Sequence, residues 1–246
     1  MKGFFRGLPT LVGVGVLTLL TGSLAKADYS IEVITGAFDS GPIIAGSPFA
    51  LPSSTTNSVS VDVGALNAFL TGSGFSFVSL GGFDNAASAG PDAQLFQNGG
   101  VTRSTTEGNG TITIIATETS FNAPLGAGRT LTSSAADTFG GVFGAGDSRT
   151  FQSTFTDGNG ATSTPLQTFP ASFSSSGSVL TPIATGATAF GLQSTTVIHL
   201  GSVTGTDQFS GTTTVRAVPE PGSLALILLG GTALAIRSRR KRLATV

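Results

Sequence analysis

The feature that most constrains the fold is a period-two alternation of apolar and polar residues, recurring in short stretches between turn residues. Tyr29, Ile31 and Val33 fall on one face of an opening stretch, and Val59, Val61 and Val63 alternate through residues 58–63. Phe75 and Phe77 begin a run that ends at Leu80, while residues 111–116 place Ile112 and Ile114 on one side and Ile115 on the other. Phe151, Ser153 and Phe155 alternate again, and residues 195–200 and 212–218 close the series. Successive side chains of an extended strand point to opposite faces, so the pattern describes strands with one buried face. Gly, Asn, Asp and Pro separate the runs, which predicts an all-β domain: an antiparallel β-sandwich or jelly-roll-like ectodomain. Leu66, Phe69 and Leu70 share a helical face within residues 65–70 and predict a short connecting helix. Residues 126–146, rich in Gly, Ala and Ser, read as a long loop or edge segment and as the least ordered part of the domain.

Both ends of the chain carry targeting patterns. Lys2 and Arg6 precede an apolar stretch over residues 8–20, and Ala25-Lys26-Ala27 offers small residues at both positions a signal peptidase reads. Residues 1–27 are therefore expected to be a secretory signal peptide, forming an N-terminal helix, with Asp28 as the first mature residue. At the other end, residues 223–236 contain no charge and run directly into Arg237, Arg239, Arg240, Lys241 and Arg242. As a helix this apolar segment spans roughly 21 Å, against a hydrocarbon core of about 30 Å, and long arginine side chains can snorkel. The basic cluster costs too much to translocate and stays on the cytoplasmic side. Both signals place residues 28–218 outside the cytoplasm.

The arrangement Val218-Pro219-Glu220-Pro221, a glycine-containing hydrophobic helix and an arginine cluster resembles the PEP-CTERM sorting signal of Gram-negative bacteria. The resemblance covers Pro219 to about Arg242. It implies that Pro219, Glu220 and Pro221 are the recognition motif of an exosortase, an integral-membrane transpeptidase-like enzyme, with cleavage nearby. It also implies a host that makes exopolysaccharide, itself a possible partner. The chain then divides into a signal peptide (1–27), an extracytoplasmic β-domain (28–218) and a sorting signal (219–246). Its expected partners are signal peptidase, the exosortase and, through the C-terminal helix, a membrane, before residence at the cell surface or in the extracellular matrix.

Composition narrows what the β-domain can do. Residues 28–218 hold four arginines, no lysine and twelve acids, a net charge of −8 that the whole-chain value of −1 conceals. Such a domain has no electrostatic footprint for nucleic acid, and its thinly spread charge reads as a solubilising surface. Cysteine is absent, which removes disulfides, thiolate metal sites and cysteine catalysis. Tryptophan is also absent and Tyr29 is the single tyrosine, so aromatic burial rests on phenylalanine, 16 of the chain's 18 lying in this domain. A platform for stacking a sugar ring would have to be phenylalanine.

Catalytic patterns are sparse. His199, the single histidine, lies opposite in phase to Ile198 and Leu200 and reads as a sheet side chain. There is no Gly-x-Ser-x-Gly elbow and no phosphate loop. Twelve scattered acids make some carboxylate pair inevitable, so the roughly 5–10 Å spacing of a glycosidase pair has little diagnostic weight. Glu107-Gly108-Asn109-Gly110 and Asp157-Gly158-Asn159-Gly160 fit hairpin turns in which Asn-Gly supplies positive φ angles. Calcium wants six to eight oxygens, and neither turn carries the repeated carboxylates that would provide them. No cofactor, metal site or catalytic residue is expected. Three functional classes remain: a non-catalytic surface or matrix protein, a glycan- or envelope-protein-binding module, and a secreted hydrolase. The first accounts for most of the sequence; exposed phenylalanines in a surface groove would favour the second.

Overall fold

The computed structural model describes residues 29–218, apart from residues 37, 87–91, 105–109, 125–127, 143, 145, 173, 184–188 and 202–203. Ala25 and Ala27, the Glu107 turn, Pro219, Glu220, Pro221, the apolar run 223–236 and the basic residues 237–242 lie outside the described residues.

Among the described residues, thirteen strands form two antiparallel sheets packed face to face, with one short helix beside them. The first sheet contains β1 (Ser30–Thr35), β2 (Phe38–Asp39), β6 (Thr111–Phe121), β8 (Ser148–Asp157), β9 (Gly160–Ser163), β10 (Gln167–Pro170) and β12 (Phe190–His199). Its order is β10-β8-β12-β6-β1-β2, with β9 also paired to β8. The second contains β3 (Ser58–Ser60), β4 (Phe75–Asp84), β5 (Asp92–Arg103), β7 (Arg129–Gly140), β11 (Ser175–Ile183) and β13 (Thr206–Ala217), in the order β11-β7-β13-β5-β4-β3. The antiparallel sandwich read from the alternation is the fold observed. Ile31 and Val33, Ile112 and Ile114, and Phe151 and Phe155 all bury on the inner faces, as their phase requires.

Three local readings are corrected. Residues 126–146 are not a loop throughout, because β7 runs through them as an interior strand between β11 and β13. Its alternation is carried by Leu131, Ser133, Ala135, Asp137 and Phe139, and the polar side chains bury there because Gln167 of the opposite sheet and Ser175 of the adjacent β11 receive them. The stretch 58–63 is a strand only to Ser60. Asp62 accepts hydrogen bonds from the Gly64 and Ala65 amides at 3.0 and 3.1 Å and so caps a helix, α1 (Val63–Phe69), that takes Val63 out of the sheet. Leu66 and Leu70 bury beneath that helix, whereas Phe69 is partly exposed and packs against Phe38 and Phe49. In the Asp157 turn, Asn159 does not adopt a positive φ; Gly160 does, at 131°, and the Asn159 amide donates to Asp157 Oδ1 at 2.8 Å. The turn still joins a hairpin, β8 to β9.

Strand β5 has no counterpart in the alternation read above. Its Asn98-Gly99-Gly100 resembles a turn but lies mid-strand, paired to β4 and β13. A Cβ on Gly99 would sit 2.8 Å from Phe209 and 2.9 Å from the Ser79 carbonyl, so close packing rather than chain reversal requires glycine there.

Hydrogen-bonded polar pairs cross between the sheets and divide the apolar interior. Ser153 on β8 meets Thr213 on β13 at 2.6 Å, Gln97 on β5 donates to Thr196 on β12 at 2.8 Å, and Gln167 on β10 donates to Ser133 on β7 at 2.8 Å. The main apolar cluster holds most of the core, and a smaller one contains Ala135, Phe151 and Phe169. Each glutamine donates through Nε2 while its Oε1 is buried without a partner among the described residues, and these hydrogen bonds fix the register of one sheet on the other, a role open to them in a chain without cysteine.

Candidate functional site

The outer face of the second sheet is the most distinctive surface among the described residues. Antiparallel register brings Ser134, Ala136 and Thr138 on β7 level with Thr212, Ser210 and Gln208 on β13. Continuing across the sheet, Ser210 faces Asn98 on β5, Thr212 faces Phe96, and Phe96 faces Phe83 on β4. Three adjoining depressions run over this face. One of ≈320 Å³ includes Asn98, Thr138, Gln208 and Ser210, and another of ≈430 Å³ includes Ser134, Ser176, Ser178 and Thr212. The third, ≈400 Å³, includes Ser58, Ser60, Phe83 and Phe96. The first shares Ala136 and Ser210 with the second, and Ser79, Phe96 and Asn98 with the third, so together they make a trough crossing all six strands. Five strand spacings make it about 24 Å long.

Hydroxyl and carboxamide groups share the trough with apolar surface from Ala136, Leu80 and Phe83, and the buried Asp137 also lines it. At one end the rings of Phe83 and Phe96 pack 5.0 Å apart, and Phe83 is 43% exposed. A β-bulge puts Phe83 outside: the register shifts between Phe77 and Ser79, so Phe75, Phe77 and Leu80 face inward while Phe83 faces outward. The trough was missed in the sequence because no single strand displays it.

Two buried side chains hold this face from below. Tyr29 donates its hydroxyl to the Phe96 carbonyl at 2.9 Å. Gly82 permits the approach, since a Cβ there would lie 2.1 Å from the Tyr29 oxygen and 2.2 Å from the Phe96 carbonyl oxygen. Burial, with the neighbouring Asp84 charge adding to it, pushes the Tyr29 hydroxyl well above its ordinary pKa, so it remains a donor. Arg149 crosses from β8 in the first sheet and donates to the carbonyls of Ala136 at 2.6 Å and Ser210 at 2.8 Å. Those two residues are cross-strand partners on β7 and β13 and line the trough on its other side.

Arg149 belongs to a wider departure from the sequence reading. Three of the domain's four arginines, Arg103, Arg129 and Arg149, are buried, as are Asp84, Glu118, Asp137, Asp147 and Asp207. Most of the cationic charge therefore does not solubilise the surface. Each buried guanidinium lies over phenylalanine: Arg103 over Phe75 at 4.8 Å, Arg129 over Phe155 and Phe190 at 5.0 and 5.3 Å, and Arg149 near Phe151, Phe169 and Phe209 at 5.4–5.6 Å. Burial lowers the pKa of all three. Asp207 is fully buried, with no hydrogen-bond partner on either carboxylate oxygen among the described residues, and burial outweighs the attraction of Arg149 to raise its pKa to about 7. Asp137, bonded to Ser175, is also raised by burial against the lowering effects of Ser175 and Arg149. The available sequence signal was phase: Arg149 shares the inward register of Phe151 and Phe155, Arg129 that of Leu131, and Asp207 that of Phe209.

His199 sits half-buried on β12, where its Nδ1 shares a 3.0 Å hydrogen bond with Thr111 Oγ1, as a sheet side chain. Glu32 and Asp39 meet across the β1–β2 hairpin; burial, then the Asp39 carboxylate, raises Glu32. Neither lines the trough. Among the described residues, no three His, Asp or Glu side chains gather in an arrangement that could hold a metal ion. No helix among them is long and apolar enough to cross a membrane.

These features define a two-sheet antiparallel sandwich with an open, largely uncharged trough on one face. Beyond it, residues 217–241 match the PEP-CTERM protein-sorting motif, the signal that the Pro219-Glu220-Pro221 arrangement resembles. The chain thus carries a sorting signal behind its β-domain. No curated protein matches it in sequence. Among solved structures it is similar to the enzymatically active domain of bacteriophage CBA120 tailspike protein 4, at 9% identity and TM-score 0.30, over 55% of this chain and 18% of that one. It is also similar to TmCBM61, solved with beta-1,4-galactotriose, at 7% identity and TM-score 0.30, over 58% of this chain and 82% of that one. A third likeness is to the CBM22-1 xylan-binding domain of Paenibacillus barcinonensis Xyn10C, at 13% identity and TM-score 0.27, over 58% and 85% of the two chains. Likenesses at these scores say nothing about what this chain binds.

Proposed function

We propose that the chain is an exported, non-catalytic cell-surface or extracellular-matrix protein, sorted and processed through a PEP-CTERM/exosortase-type pathway. The observation that carries this reading is the sorting motif over residues 217–241. The signal-peptide pattern ending at Ala25-Lys26-Ala27 supports it from the other end of the chain. A sandwich whose sheets are joined by internal hydrogen bonds suits a domain that must persist outside the cell without disulfides. Signal peptidase and an exosortase are its processing partners on this reading, with the apolar run 223–236 as a transient or lasting membrane anchor.

A second reading, a binding module for a glycan or an envelope protein, is favoured by one observation: Phe83 is exposed beside Phe96 inside the trough. It is compatible with the first, because a sorted surface protein can also bind.

Deletion of residues 219–246 tests the sorting assignment. The truncated chain is expected to fold, since β13 ends at Ala217, and to be released from the envelope into the medium on fractionation. Unchanged envelope retention would show that the tail does not direct the protein there.

A further inference from the structure

We propose that the trough on the outer face of the second sheet binds an uncharged polysaccharide chain laid across the strands, with one sugar ring stacked on Phe83. This rests on the binding-module reading above and names its site and ligand class.

Shape is the first support. Three adjoining open depressions in a row fit a repeating, extended ligand, whereas a single enclosed apolar cavity would fit a small molecule. Chemistry is the second. Asn98, Gln208 and Ser210 present donors and acceptors side by side on neighbouring strands, and Phe83 presents an exposed aromatic face. A hydroxyl-rich ring uses both, with polar edges for the amides and an apolar C–H face for the phenyl ring.

Charge is the third support and selects the kind of polymer. On the same outer face, the exposed Arg216 is already paired to Asp92 at 3.0 Å, and the domain around it carries −8. An acidic polymer would meet repulsion without a compensating cation, whereas an uncharged one loses nothing. Peptides that recognise sheets commonly add a strand at an edge through main-chain hydrogen bonds. The trough lies on the face, where side chains rather than main chain are offered.

Tyr29 and Arg149 are positioning residues here, fixing the main chain at Phe96, Ala136 and Ser210 from beneath. The binding side chains stand on a braced sheet instead of a loop, which limits the ordering cost of association.

The test is affinity electrophoresis of the full chain in detergent through gels containing uncharged polysaccharides (dextran, xyloglucan, a galactan) or a polyuronate. Retardation by at least one uncharged polymer and not by the polyuronate is expected. Phe83→Ala should weaken that binding about tenfold, and Asn98→Ala or Gln208→Ala about threefold to tenfold each. Asn98 and Gln208 are exposed, so these variants keep the question answerable if Phe83→Ala perturbs the fold. Binding that survives all three substitutions would overturn the trough as the site while leaving the binding-module reading intact. Stronger retardation by the polyuronate would overturn the ligand class. No retardation by any polymer would overturn both the inference and the glycan-binding form of the second reading, and would leave the sorting assignment untouched.

Discussion

Replacing Arg149 by alanine is expected to destabilise the domain by roughly 3–5 kcal/mol, the scale seen when one partner of a buried charged network is removed. The guanidinium supplies charge-assisted hydrogen bonds to the Ala136 and Ser210 carbonyls, and three phenylalanine rings surround it. Alanine leaves those rings around a void and leaves Asp137 and Asp207 without the cation that attracts them. Arg149→Met should recover part of the packing but neither hydrogen bond, and so fall between the two. Chemical denaturation measures the effect, and a loss below about 1 kcal/mol would show that Arg149 does not tie the sheets together. Because Ala136 and Ser210 line the trough, the same variant should also weaken any ligand bound there.

The second large effect is on pH. Asp207 has a pKa near 7 in the folded domain against an ordinary value of 3.8, so the folded state keeps a proton that the unfolded state releases. Stability from this group is fully present below about pH 4, falls as pH rises towards 7 and is constant above that. The drop is on the order of 4 kcal/mol at about 1.4 kcal/mol per pKa unit. Asp137 and Glu118 are raised as well, chiefly by burial, and push in the same direction. The domain is therefore expected to melt at a higher temperature at pH 5 than at pH 8, opposite to a protein stabilised by paired carboxylates. Asp207→Asn should flatten this dependence and raise stability at pH 8. A melting temperature that rises from pH 5 to pH 8 in the unsubstituted chain would contradict a buried, unpartnered Asp207.

What the sequence disclosed depended on where the partners of each side chain lay. Strands β6 and β8 were legible because isoleucine and phenylalanine repeat at period two, and the end of β12 because Ile198 and Leu200 do, since burying them needs no partner of a particular kind. β7 was illegible because its inward side chains include Ser133 and Asp137. These bury only because Gln167 reaches Ser133 from the opposite sheet and Ser175 reaches Asp137 from the adjacent β11. Arg149 lies in the inward phase of β8, yet arginine normally argues for solvent, and its carbonyl acceptors are on two strands of the other sheet. The trough was hidden for a third reason. Phe83 would face inward by simple alternation from Phe75 and Phe77, and the bulge after Phe77 reverses it. The sorting signal needed no tertiary information, because its motif, apolar run and basic cluster are contiguous.

An exported and sorted surface protein makes a direct prediction about its own ends. Intact-mass measurement of the chain recovered from the surface of cells that produce it is expected to show a polypeptide beginning at Asp28 and lacking the basic cluster Arg237, Arg239, Arg240, Lys241 and Arg242. A chain found only inside the cell, beginning at Met1 and still carrying that cluster, would contradict the account.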